Sequence, residues 1–219
     1  MIRIEKEPAL ARSNIPFGIL EVRYPEREAW QEDAFRALVE RELASLPERF
    51  ENYDRKAVFG ENPWFRFFKK FKKTYPVMLQ FESVAFKGRQ FPLDHPVAAV
   101  PFLLEVTTHV LSGTHDVSCI QGPVQLYLST EKTPFTGRRG EEIHTYPGDF
   151  CARDEAGIIF SEIAGTDDRT CARGDSRHVI YPVFGTPDLP EAVIAEALEK
   201  LETFARVLSP DARVERAIL

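Results

Sequence analysis

The sequence predicts an α+β fold in which helices come first, strands follow and one more helix closes the chain. Up to about residue 116, apolar side chains repeat with a helical period after one early strand. From Val117 onward, short strand-like segments alternate with Gly and Pro turns, and an amphipathic segment follows at 189–208. Helices and strands that are separated along the chain are typical of α+β folds. We therefore expect one domain over 1–219, with a β-sandwich-like core flanked by helices.

The first half of the chain predicts one strand and four helices. Periodicity indicates a strand over 15–24 and helices over 26–46, 62–75, 76–86 and from 96 to about 109. Pro47 is expected to end the first helix, and Asn62 with Pro63 opens the second as a cap and a first-turn proline. The second helix carries an aromatic stripe that reaches Tyr75. Pro101 should be tolerated only near the first turn of its helix.

The second half of the chain predicts strands and a closing helix. The segments are strands over 124–128, 148–153, 157–163 and 178–184, followed by a helix over 189–208. The tail after Pro210 is expected to be loosely held.

Composition excludes several functional classes. The net charge of −6 gives no overall attraction to nucleic acid or to anionic membranes, so any RNA contact needs a local basic patch. The three cysteines lack CxxC spacing, which favours reduced thiols in a cytoplasmic protein. No segment has a signal-peptide pattern or transmembrane length, so no membrane partner is expected. GxGxxG, Walker A, GxSxG and metal-ligand spacings are absent, so neither a cofactor nor a metal is expected.

The segment LEVTTHVLSGTHD, residues 104–116, is the first candidate site. His109 lies near the end of a mostly apolar helix and could act as acid, base or ligand. The alternative is a core histidine that bonds to Glu105 and a backbone carbonyl. After it, a Ser-Gly turn crowds hydroxyls, an imidazole and a carboxylate into residues 112–116, or simply forms a polar turn before a strand. His115 and Asp116 would point apart in a strand and cannot form a simple dyad there.

Two further clusters have both functional and structural interpretations. Asp167, Asp168 and Arg169 follow Gly165 in a loop that could hold an ammonium group or a polarised water, or could only stabilise its own turn. The aromatic helix carries lysines that could contact RNA or a membrane surface. The commoner interpretation is that its aromatic stripe is core and its lysines are solvated.

These motifs resemble one known family. Val106-Thr107-Thr108 matches a VTN-type motif at a helix end, with threonine in place of asparagine, and residues 176–180 match a later strand. With the order of elements, they resemble the B3/B4 domain of the phenylalanyl-tRNA synthetase beta subunit. PGDFCARDEAG, residues 147–157, resembles a segment of the free-standing bacterial versions. The resemblance is strongest over residues 62–184.

The resemblance implies a B3/B4 fold and a function linked to tRNA. In the synthetase this domain hydrolyses tyrosine wrongly esterified to the phenylalanine tRNA. The implied function is therefore binding of tRNA or aminoacyl-tRNA and hydrolysis of a mischarged ester. The family's glutamate that reads the tyrosine hydroxyl falls here at Pro182 or a neighbour, which argues against tyrosine specificity. No synthetase catalytic module fits in the remaining residues, so the chain is not expected to charge tRNA itself.

Two functions remain open: this editing-like activity, and a non-catalytic module that binds a small amino-acid-like ligand. The expected catalytic residues are His115, His109 and Asp116. The expected substrate contacts are Thr107, Thr108, Ser112, Gly113, Thr114, Asp167, Asp168 and Arg169. The expected RNA contacts are Lys69, Lys70, Lys73, Arg138 and Arg139.

Overall fold

The computed structural model describes residues 1–187 and 189–219 and shows a mixed α+β fold. The helices are α1 (Pro8–Ala11), α2 (Glu32–Ala44), α3 (Leu46–Arg49), α4 (Arg55–Phe59), α5 (Pro63–Lys70), α6 (Pro76–Ala85), α7 (Pro96–Thr108) and α8 (Glu191–Leu208). The strands are β1 (Ile4–Lys6), β2 (Phe17–Arg23), β3 (His115–Asp116), β4 (Val124–Leu128), β5 (Pro134–Thr136), β6 (Glu142–His144), β7 (Phe150–Asp154), β8 (Gly157–Ser161), β9 (Gly165–Thr166), β10 (His178–Phe184) and β11 (Arg213–Ile218). The α+β class predicted from the sequence is confirmed.

The strands form two main sheets and one small hairpin. The antiparallel sheet has the order β11-β2-β10-β3, and the second sheet has the order β1-β4-β7-β8-β9, with only its β1–β4 pair parallel among the described strands. Strands β5 and β6 pair with each other.

The antiparallel sheet lies between helix α8 and the second sheet. Successive strand residues point to opposite faces, and β2 shows both contacts. Phe17 packs edge-on against Phe150 of the second sheet at 5.2 Å between ring centroids. The next residue, Gly18, lies so close to Ile194 and Leu198 of α8 that a Cβ would have no room. The two sheets therefore share an aromatic core, and α8 covers the opposite face.

Helix α7 is buried along most of its length and contains a proline in its second turn. Since the helix begins at Pro96, the expectation that Pro101 would lie near the first turn is wrong by about one turn. Pro101 has no N–H, so the carbonyl of Val97 loses its helical partner. The buried hydroxyl of Tyr181 donates to that carbonyl at 2.8 Å. A side chain of β10 thus satisfies the group that the proline leaves unpaired.

The aromatic helix α5 is anchored in the core. The side chain of Asn62 accepts a hydrogen bond from Phe65 N at 2.9 Å, as its capping position predicts. The indole of Trp64 donates to Phe184 O at 2.7 Å. The helix ends at Lys70, and Lys72 has a left-handed backbone with φ 57°, so Tyr75 is not on it. The buried aromatic rings are core, and the neighbouring lysines are exposed.

The tail beyond Pro210 forms a strand. Residues 213–218 pair antiparallel with β2 along its whole outer edge, so the expectation of a loosely held tail is wrong. Its charged residues Arg213, Glu215 and Arg216 are exposed, which suits an edge strand.

Two other boundaries differ from the sequence prediction. Helix α2 starts at Glu32, after a 3-10 turn at Arg27–Ala29. Pro47 does not end helical structure but lies in the first turn of α3. No helix in the described chain is long and apolar enough to cross a bilayer.

Candidate functional site

The main cavity lies between the helices and the open end of the second sheet. Its volume is about 440 Å³. Helices α6 and α7 and the turn at 111–114 form one wall, and residues 160–166, from the end of β8 through β9, form the other. The apolar lining includes Phe102, Ile163 and Phe184.

Glu105 of α7 places a carboxyl group on the cavity wall. The residue is 7% exposed, and one of its carboxyl oxygens accepts a hydrogen bond from Ser112 N at 3.0 Å. Burial raises the pKa of Glu105 to about 8. Within the described residues Glu105 has no salt-bridge partner. A carboxyl with such a pKa can gain or lose a proton near neutral pH.

Glu162 places a second buried carboxyl group on the opposite wall. It follows β8, is 5% exposed, and neither of its carboxyl oxygens has a hydrogen-bond partner within the part of the chain described. Burial, reinforced by the nearby negative charge of Asp149, raises the pKa of Glu162 well above its usual value. An unpaired buried carboxyl costs free energy unless something outside the chain pairs with it.

Asp149 holds the segment that carries Glu162. Its carboxylate accepts hydrogen bonds from the Ser161 hydroxyl and from Ile163 N, on either side of Glu162. The hydroxyl of Ser161 in turn accepts from Ala164 N at 2.8 Å. Burial raises the pKa of Asp149 to about 6. The sequence analysis missed Glu162, although one acidic residue within the apolar run GIIFSEIAG was a usable signal.

Two basic side chains line the same cavity. Lys73 and Arg138 both line it, and Lys73 Nζ lies 5.1 Å from the centroid of the Tyr146 ring. The structure therefore brings together one residue from each of the two predicted basic clusters. Lys69 and Lys70 lie on the exposed side of α5, and Arg139 is exposed on the turn beside Arg138.

The turn at 112–114 is the part of the predicted site that lines the cavity. Ser112, Gly113 and Thr114 all contribute to the wall. Two of their backbone donors are already used, because Ser112 N donates to Glu105 and Gly113 N donates to Pro182 O. The predicted substrate contact at this turn stays a prediction, and Thr114 is its best-placed residue.

His115 lies beneath the cavity and is not among its lining residues. It is completely buried, and its Nδ1 lies 2.8 Å from the hydroxyl oxygen of Thr170, which donates to Asp167. This arrangement places the ring proton on Nδ1 and leaves Nε2 as an unpaired acceptor among the described atoms. Burial lowers the pKa of His115 to about 3. Asp116 instead caps the next turn through Ser118 N and accepts from Ser176.

His109 packs among aromatic rings at the end of α7. It has a left-handed backbone with φ 61°, and its ring centroid lies 4.6 Å from those of both Phe59 and Phe81. The expected pairing with Glu105 does not form, because the left-handed residue leaves the helical register. Burial lowers the pKa of His109 to about 4. The hydroxyls of Thr107 and Thr108 donate to helical carbonyls at 2.7 Å.

The acidic loop at 167–169 stabilises its own turn. Arg169 forms two hydrogen bonds with Asp154, at 2.9 and 3.0 Å, and Asp167 accepts from Thr170 N. Asp168 is half-buried, and its carboxyl group lies 3.7 Å from the guanidinium group of Arg173. These three predicted contacts are not brought to the cavity wall, which uses the preceding Gly165 and Thr166.

Comparison with known proteins gives little further guidance. No family model matches the sequence, and no curated protein matches it. One similar solved structure is an N-terminal fragment of the phenylalanyl-tRNA synthetase beta-subunit from Pyrococcus horikoshii, with a TM-score of 0.46 and 12% identity. The match covers 98% of this chain and 52% of that one, so this chain spans about half the length of the fragment. At this TM-score the likeness decides neither family nor activity.

Proposed function

We propose that this protein binds a small amino-acid-like ligand in the main cavity. The observation that carries the proposal is the unpaired carboxyl group of Glu162 on the wall of a cavity of about 440 Å³. Ligand sites are typically concave, mostly apolar and furnished with a few convergent polar groups. Here the carboxyl groups suit the polar part of the ligand, and Phe102 and Phe184 suit its hydrocarbon part.

A thermal-shift screen of amino acids and their derivatives tests this proposal. A ligand at 100 times its Kd stabilises the folded state by about 2.7 kcal/mol, which raises Tm by roughly 5–10 °C for a domain of this size. Ala98 lines the cavity, so Ala98→Phe should remove the shift. Ala195→Phe on α8, outside the lining, is the matched control. Equal shifts in both variants would place the ligand elsewhere and overturn the proposal.

A second candidate function is hydrolysis of an aminoacyl ester carried by RNA. The observation that favours it is that Lys73 and Arg138 line the same cavity as the two carboxyl groups, since basic side chains bind phosphates. No histidine is among the lining residues of the described chain. Glu105, with a pKa of about 8, is the lining group suited to take a proton from water near neutral pH. This candidate assigns the chemistry to Glu105 rather than to His115 or His109.

Deacylation of a panel of mischarged tRNAs tests the second candidate. Hydrolysis should slow on Glu105→Gln and on Ala98→Phe, while Ala195→Phe keeps the parent rate. Flat time courses with protein that still shows ligand shifts would eliminate hydrolysis and leave the binding proposal intact.

A further inference from the structure

The described part of the cavity has two buried acids and no positive charge paired with either. Glu105 and Glu162 line opposite walls, and neither takes part in a salt bridge within the described residues. Neither carboxyl group is among the charges that shift the pKa of the other, so the two acids do not act as one pair. Glu162, whose two oxygens have no partner among the described residues, is costly as an anion and is stabilised by a cation beside it.

We propose that the ligand enters with a protonated amine foremost, and that Glu162 is the counter-ion of that amine. The proposal rests on the proposed function and adds the charge and the orientation of the ligand. Glu162 offers two unpaired oxygens on the cavity wall. An ammonium group has three donors and no acceptor, so it can donate to both of these oxygens.

The other end of the ligand faces the basic side chains. Lys73 and Arg138 are both lining residues of the cavity. The other charged or titratable groups nearby are Glu141 and Cys171, which also line the cavity, and Asp149 and Tyr75, which do not. A carboxylate, ester or phosphate carried away from the amine would meet Lys73 and Arg138. In this arrangement the acidic side of the cavity binds the amine of the ligand, and Lys73 and Arg138 bind its acidic group.

Binding of a cation by Glu162 should release a proton. In the empty cavity, burial and the nearby negative charge of Asp149 raise the pKa of Glu162 well above its usual value, which favours the protonated form. An ammonium group stabilises the ionised carboxylate and displaces that proton into solvent. Proton release is a signature that a neutral hydrogen-bonding ligand would not give.

Matched probes separate charge from shape. Amides of several amino acids carry the amine, and their N-acetyl derivatives keep the side chain but lose the positive charge. The parent protein should bind the amine form at least tenfold more tightly by calorimetry. Measured in two buffers with different ionisation enthalpies at pH 7, binding should release up to about one proton. The Glu162→Gln variant should lose most of the preference and most of this proton release.

Glu48→Gln is the matched control, because Glu48 is an exposed acid outside the cavity lining and should change neither result. Equal affinity for amine and N-acetyl probes, or binding of the amines without proton release, would overturn this inference and leave the proposed function standing. Absence of any cavity-dependent binding across both probe sets would overturn the proposed function as well. Because the proton count is measured on the parent protein, the test does not depend on the variant folding.

Discussion

Glu105 is a buried carboxylic acid without a counter-ion among the described residues, and it therefore makes the free energy of unfolding depend on pH. Desolvation penalises its charged form more than the hydrogen bond from Ser112 N compensates, so its pKa rises to about 8. In the unfolded chain the same group ionises near 4.5. The folded state therefore holds a proton that the unfolded state has released between these two values.

Glu105 should make the folded protein less stable as pH rises from about 5 to 8, whereas the lowered pKa values of His109 and His115 act in the opposite direction below about pH 6.5. The contribution of Glu105 is fully present below the unfolded pKa and falls by up to ~1.4 kcal/mol per pH unit above it. Glu105→Gln cannot ionise, so its free energy of unfolding should fall less steeply over the same range. Urea unfolding at half-unit pH steps measures both slopes, with Glu141→Gln as the control. If the free energy of unfolding fell equally steeply with pH in the parent and in Glu105→Gln, the pH dependence would not come from Glu105.

The sequence could predict the turn at 112–114 but not the second acid of the site. Ser, Gly and Thr in succession carry a local turn signal, and that signal places Ser112 and Thr114 on the cavity wall. Glu162 lies next to an apolar strand, and its position is set by Asp149, which comes from a different turn. A contact between separate segments leaves no periodic pattern in the sequence.

At the scale of elements, helix α7 and strand β10 depend on each other. Pro101 removes the helical partner of Val97 O, and Tyr181 supplies a replacement donor. The hydroxyl of Tyr24 lies 2.8 Å from that of Tyr181 and extends the contact to β2. A buried carbonyl group without a hydrogen-bond donor costs free energy of folding, so the bond from Tyr181 helps the helix to accommodate the proline.

A double-mutant cycle tests the coupling between these two elements. Tyr181→Phe should cost about 1–3 kcal/mol because it leaves a buried carbonyl unpaired. In the Pro101→Ala background the restored N–H at position 101 can bond to Val97 O, so the same change should cost about 1 kcal/mol less. Tyr24→Phe is the control and should cost the same in both backgrounds. If the changes in the free energy of unfolding for Tyr181→Phe and Pro101→Ala were additive, the Tyr181 hydroxyl would not be replacing the missing N–H of Pro101.

The pairing of the edge strand β11 with β2 leads to a prediction about the tail. From the sequence alone its charged residues indicate a solvent-exposed segment, and the strand becomes evident only from its pairing with β2. Deletion of residues 213–219 should lower the free energy of unfolding by several kcal/mol, since it exposes the edge of β2 and its backbone donors. Chemical unfolding of the deletion variant measures this. An unchanged midpoint would mean that the tail is loosely held, as the sequence suggested.

At the scale of the whole molecule, the charge distribution limits where RNA could bind. The chain has a net charge of −6, so long-range attraction to a polyanion is unfavourable, and contact requires local basic groups. Lys73 and Arg138 meet at the cavity, whereas Lys69 and Lys70 lie away from it on α5. An RNA that presents an ester to the cavity must therefore contact Lys73 and Arg138.

We therefore expect charge reversal at the two positions beside the cavity to weaken RNA binding most. Lys73→Glu with Arg138→Glu should reduce tRNA affinity steeply and lower the magnitude of the slope of log K against log salt by about 2, one unit for each lost phosphate contact. Lys69→Glu with Lys70→Glu changes the net charge by the same amount and is the matched control. Fluorescence anisotropy with labelled tRNA at several salt concentrations measures both variants, with Tm checked to confirm folding. Equal losses in the two variants would indicate a diffuse electrostatic contact, and no loss in either would exclude RNA as a partner of these clusters.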